Sequence, residues 1–171
     1  DGDGIATSPP SANDEAANAV VIQPDGKIVV TGTSFAPASN GDFVIARFNP
    51  DGSMDNSFGG DGIIGTSFSL GHDFAWGLVL QGVGKLVVAG HGDVGGDWDF
   101  ILQRWLVGGG LDTSFGNAGT VITDISVIED STFDIIQQAD GKLVITGTVQ
   151  EGSYLNSVLL RYNLDGTLDN G

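Results

Sequence analysis

The sequence predicts an all-β fold, a four-stranded antiparallel unit repeated three times, on three observations. The first is internal repetition. Lys27, Lys85 and Lys142 each follow a Gly and open an apolar run (GKIVVTG, GKLVVAG, GKLVITG), 58 and 57 residues apart. Arg47, Arg104 and Arg161 each close such a run (FVIARF, FILQRW, SVLLRY), 57 residues apart in both steps. These six are all the lysines and arginines of a 171-residue chain. Self-similarity at such a period marks an array of stacked supersecondary units. Second, the apolar runs are short, rich in Val, Ile, Thr and Phe, and bounded by Gly-containing turns such as Pro24-Asp25-Gly26 and Pro50-Asp51-Gly52. Third, no window keeps an i, i+3, i+4, i+7 apolar pattern long enough for a core helix.

The elements follow in order. In the first unit, strands are expected at Asn18–Gln23, Lys27–Phe35, Asp42–Asn49 and Gly62–Phe68. The second unit repeats them at Trp76–Gln81, Lys85–His91, Trp98–Leu106 and Thr120–Ile125. The third gives Phe133–Gln138, Lys142–Thr148 and Ser157–Asn163, with no fourth run after Leu168. A match to the fourth strand stands at the other end of the chain, where Asp3-Gly4-Ile5-Ala6-Thr7 resembles Asp61-Gly62-Ile63-Ile64-Gly65. The expected architecture is therefore a β-propeller-like array of three four-stranded antiparallel blades, the terminal strands completing one blade. The whole of 1–171 forms a single repeat domain, with units at about 14–71, 72–129 and 130–171 and an N-terminal strand within 1–13. Three blades are fewer than the four to eight of an ordinary closed propeller. Self-association into a ring or fibre, or further repeats in a longer chain, is the expected remedy for the open faces and edges. The start at Asp1, without an initiator Met, reads as a processed product or a segment of something longer.

Composition narrows the function. With 22 acidic residues against 6 basic, the formal charge is −16, which repels nucleic acid and anionic membrane surfaces. No apolar run approaches a membrane-spanning helix, so no membrane insertion is expected. The absence of cysteine removes both a disulfide framework and thiolate metal ligands. An apolar content of 40% is too high for a disordered acidic tail.

QPDGKIVVTG (Gln23–Gly32), DFVIARFNPDGSMDNSFGGDGI (Asp42–Ile63) and weaker copies around Lys85 and Lys142 resemble the delta-60 repeat family of large bacterial secreted and surface proteins. The likeness covers essentially the whole chain. It departs at Gln81-Gly82-Val83-Gly84 and Leu106-Val107-Gly108-Gly109-Gly110, which lack the Pro, Asn and Asp of the first copy. The resemblance implies a propeller-type fold and an extracellular or cell-surface setting, and it carries no catalytic residues.

Candidate sites are weighed on that frame. Alternation puts Phe43, Ile45 and Arg47 on one face of their strand, so the guanidinium needs a partner if it is buried. Backbone carbonyls or the repeat-related Asp55, Asp112 and Asp169 are the expected acceptors, and an anion-binding ring of arginines is the functional alternative. Asp1, Asp3, Asp51, Asp55 and Asp61 lie beside glycines and are candidate calcium ligands, although no stretch follows the twelve-residue calcium-loop pattern. Trp76, Trp98 and Trp105 crowd the middle unit and form a candidate sugar platform. His72 and His91 are read as surface or loop residues, because their repeat positions hold other residue types elsewhere. The expectation is a non-enzymatic extracellular structural module that builds a propeller, ring or fibre-like assembly. A carbohydrate- or calcium-binding module is the alternative, followed by a hydrolase using an Asp pair that no motif singles out.

Overall fold

The computed structural model describes residues 4–7, 14–35, 41–68 and 71–170, and every regular element among them is a β-strand. Blade 1 comprises β1 (Asp14–Ile22), β2 (Ile28–Phe35), β3 (Asp42–Phe48) and β4 (Ile63–Thr66), hydrogen-bonded in chain order. Blade 2 repeats the meander with β5 (Asp73–Gln81), β6 (Lys85–Asp93), β7 (Trp98–Trp105) and β8 (Thr120–Thr123). Blade 3 has three strands, β9 (Asp130–Gln137), β10 (Leu143–Glu151) and β11 (Tyr154–Tyr162). All strand pairings within the blades are antiparallel among the described residues.

Blade 2 is packed between the other two. Val29, Phe43, Ile45 and Phe58 of blade 1 share one core with Leu78, Leu86, Val88, Ile101 and Trp105 of blade 2. Val87, Ala89, Phe100, Leu102 and Phe115 of blade 2 share the other with Ile135, Leu143, Ile145 and Tyr162 of blade 3. Successive residues of β6 therefore enter opposite cores, Leu86 and Val88 towards blade 1, Val87 and Ala89 towards blade 3. A sheet covered on both faces needs unbroken apolar runs rather than alternation, which is why KLVVAG and FILQRW read as they do.

The expected fourth strand of blade 3 takes a different place. Asp3 lies outside the described residues, and among those described Gly4–Thr7 joins no ladder. Ala6 instead sits 3.4 Å from where a Cβ on Gly52 would be, against blade 1. Six residues separate Thr7 from Asp14, a tether of at most about 24 Å, which favours the sheet that the segment precedes over the one two blades away.

The first strand of each blade begins earlier than its apolar run suggests, at Asp14, Asp73 and Asp130. A β-bulge intervenes, with Asn18, Trp76 and Phe133 as the extra residues left out of the register. A bulge breaks the two-residue alternation and throws its side chain off the ladder. This explains why so dissimilar residues stand at one repeat position. Opposite each bulge lies the Gly of the VVTG, VVAG and VITG runs. A Cβ on Gly32, Gly90 or Gly147 would collide with the carbonyl oxygen of Ala16, Phe74 or Ser131, respectively. The Gly also admits the preceding blade, since Phe43 packs onto Gly90 and Phe100 onto Gly147.

Gly147→Ala is expected to cost about 1–3 kcal/mol through forced backbone movement. Gly65→Ala, with nothing among the described residues nearer to the new methyl than Phe43 O at 4.0 Å, should be close to neutral. Urea unfolding of the two variants checks the difference.

Candidate functional site

One arrangement recurs at the same end of every blade. The Lys at or just before the start of the second strand and the Arg one residue from the end of the third meet on a single carboxylate oxygen. Lys27 Nζ and Arg47 Nε both donate to Asp55 Oδ2 at 2.7 Å. Lys85 Nζ and Arg104 Nε donate to Asp112 Oδ2 at 2.7 and 2.8 Å. Lys142 and Arg161 donate to Asp169 Oδ2 at 2.7 and 2.5 Å. The Asp is presented by a tight turn, its backbone N–H donating to the Arg carbonyl. In the first two blades its other oxygen accepts from the backbone and hydroxyl of Ser57 or Ser114. Lys27 and then Ser57 hold Asp55 well below the usual carboxylate range, and Lys85 and then Ser114 do the same for Asp112.

The guanidinium has a second task. Arg47 Nη1 donates to the carbonyl of Val107, and Arg104 Nη1 donates to that of Leu164 at 2.5 Å, each in the next blade. The Arg47 and Arg104 head groups lie over the buried rings of Phe58 and Phe115, 4.5 and 4.6 Å from the centroids. The same turn of the next blade presses on those rings through Gly109 and Gly166. Gly116 N–H then donates to Asp165 O at 2.7 Å. The second copy keeps this turn without its Asn and Asp, because Leu106 and Gly110 close it through backbone bonds and Gly109 adopts φ 91°. With Nε on Asp, Nη1 on a carbonyl and Nη2 on Ser57 or Ser114, Arg47 and Arg104 form a clamp between blades. Such engaged donors do not present a ring for an anion.

Among the described residues, the candidate calcium ligands Asp51, Asp55 and Asp61 are not gathered into one group. Asp1 and Asp3 lie outside the described residues. Asp51 accepts from Ser53, Asp61 accepts from Ile63 N–H, and Asp55 already carries two cations. Each closes its own turn. The tryptophans also part company. Trp105 is buried in the core between blades 1 and 2, whereas Trp76 and Trp98 both stack with His91, at 6.3 and 5.0 Å between ring centroids.

His91 is not the surface residue the sequence suggests. It is 4% exposed, wedged against blade 3, and its Nδ1 accepts a hydrogen bond from Thr132 N–H at 3.1 Å. Burial pushes its pKa down to about 4, so the ring is neutral with its proton on Nε2. His72 is exposed and stacks on Phe74.

Sequence reasoning also missed an acidic group at the opposite end of blade 2. One carboxylate oxygen each from Asp97, Asp99 and Asp124 lies within 4.8 Å of the others. Asp99 is 3% exposed, and burial, then Asp124 and Asp97, push its pKa up to about 6. The juxtaposition depends on the β7–β8 register, which no local motif encodes.

Asp112→Asn leaves Arg104 buried without its counter-charge, and a loss of about 3–5 kcal/mol in denaturant unfolding is expected. The folded-state pKa of His91 lies below its unfolded value. The unfolded chain therefore binds more protons, and stability contributed by this residue is lost as pH falls from about 6.5 to 4. His91→Gln should lose less stability than the parent between pH 7 and pH 4.5 in the same assay.

Three segments, residues 23–58, 84–115 and 138–171, match the family described as "Domain of unknown function (DUF5122) beta-propeller". The first two matched segments run from the turn before the Lys to the Phe under the Arg, so the family signal coincides with the Lys–Arg–Asp clamp. A search of curated proteins found no match. The matched segments cover more than half of the chain, which belongs to the DUF5122 beta-propeller family.

Proposed function

We propose that this propeller domain is a non-enzymatic structural module of an extracellular or bacterial cell-surface protein, in which blades add face to face into a ring or a fibre-like assembly. The observation that carries the reading is the repetition of the blade-accepting face. Val79, Val87, Ala89 and Leu102 of blade 2 pack towards blade 3. Their equivalents one period on, Ile136, Val144, Thr146 and Leu159, form the outward side of blade 3, where Leu159 is 68% exposed. Leu78 and Val88, which meet blade 1, correspond to the more exposed Val20 and Val30 on the outward side of blade 1. The two outward faces are thus copies of the two halves of an interface that the chain already makes twice. Head-to-tail addition of such halves gives a ring when the rotation closes and a filament when it does not. The sequence likeness to delta-60 repeats supports the extracellular setting.

The chain is expected to self-associate beyond its 17.6 kDa mass as concentration rises. Leu159→Asp, placed where the side chain is exposed, should hold it at that mass in light scattering. A parent chain that stays monomeric at about 100 μM would sink the reading.

A further inference from the structure

We propose that Asp97, Asp99 and Asp124 form a binding site for one divalent cation, with calcium as its ligand. Asp97 ends the turn between β6 and β7, Asp99 is two residues on in β7, and Asp124 follows β8 one step beyond the Phe100–Thr123 pair. Carboxylates placed directly across two strands repel one another. Here a third joins them, and oxygens of all three lie within 4.8 Å of one another.

A second observation points inward to a ligand. Asp99 is almost fully buried, and its Oδ1 has no hydrogen-bond partner among the described residues, in contrast with the buried Asp130, whose Oδ2 accepts from Ile125 N–H at 2.6 Å. An isolated buried carboxylate is among the costliest groups to leave unpaired. The usual remedy, a lysine or arginine, is absent, since all six are committed to Asp55, Asp112 and Asp169 at the other end of the blades. Exposure rises from Asp99 through Asp97 to Asp124, so the cluster opens to solvent on one side and waters can complete the coordination.

The chemistry suits calcium. Its bonds of about 2.3–2.6 Å bridge oxygens up to about 5 Å apart, and it tolerates the irregular geometry that two strand ends and a turn supply. The site is peculiar to the middle blade. The corresponding positions are Asn40, Asp42 and Ser67 in the first unit, and Tyr154 and Asn156 in the third. It therefore stands independently of the clamp and of the assembly proposed above.

The test is calorimetric titration of chelator-treated chain with calcium chloride at about 150 mM NaCl, beside thermal unfolding. One calcium per chain is expected, with a Tm rise of about 5–10 °C at a hundredfold excess over Kd. Asp124→Asn, at an exposed position that does not threaten folding, should weaken binding at least tenfold, and Asp99→Asn should abolish it. Absence of both heat and Tm shift overturns the proposal. So does Asp124→Asn binding as tightly as the parent, which places the ion elsewhere, or equal affinity for magnesium and calcium, which marks a diffuse acidic surface only.

Discussion

The buried guanidinium is the constraint on which this structure turns. Arg47 and Arg104 sit in protein interior, where an unpaired charge would be prohibitively costly, and each is satisfied by two different blades at once. Nε reaches the carboxylate of its own blade, and Nη1 reaches a backbone carbonyl of the next. The blade's internal turn and its distance from its neighbour are thereby set by a single planar group. Lys27 and Lys85 add charge from a third direction without entering the interior, their side chains remaining 25% and 34% exposed. The shared Asp is correspondingly fixed by four donors, and a change to any of them is felt in both the turn and the interface.

The clamp also divides the molecule electrostatically. All cations lie where the second strand begins and the third ends. The other end of the strands holds Asp73, Asp99 and Asp130, all buried. Asp73 and Asp130 accept from backbone N–H groups of the segment entering their own strand, Phe68 and Ile125 respectively. In those two places a main-chain donor does for a carboxylate what Lys and Arg do at the opposite end. Asp99 departs from that pattern, and it does so in the blade that also holds the His91 stack. Residues that differ between copies thus collect at one end of the middle blade, while the repeated ones build the other.

Much of this was legible in the sequence, and the reasons differ by residue. The spacing of Lys27, Lys85 and Lys142 against Arg47, Arg104 and Arg161 shows the repeat, because each contact they make is made again one period later. Asp55, Asp112 and Asp169 follow from the same spacing as the acceptors to expect. The bond from Arg47 to Val107 was invisible, since a backbone carbonyl leaves no mark in the sequence. The true strand starts were hidden by bulges at Asn18, Trp76 and Phe133, which end the local alternation. His91 was misjudged because its repeat position holds Thr33 and Thr148, small residues that say nothing of a ring buried between sheets. The Asp97–Asp99–Asp124 group needed the pairing of two strands separated by a long connection. Gly4–Thr7 mimics the fourth strand of a blade in composition yet joins no ladder among the described residues, since composition does not specify a neighbour.

The clamp has a further consequence for how the molecule forms. The bonds from Arg47 to Val107 and from Arg104 to Leu164 each span 60 residues, barely more than one period. Each of these bonds is complete once the following unit has folded, without waiting for anything more distant. Folding can therefore proceed by accretion, each finished sheet serving as the template on which its successor condenses, and cooperativity is passed between nearest neighbours rather than shared by the whole. A chain built this way can lengthen by duplication of a unit without inventing a new contact.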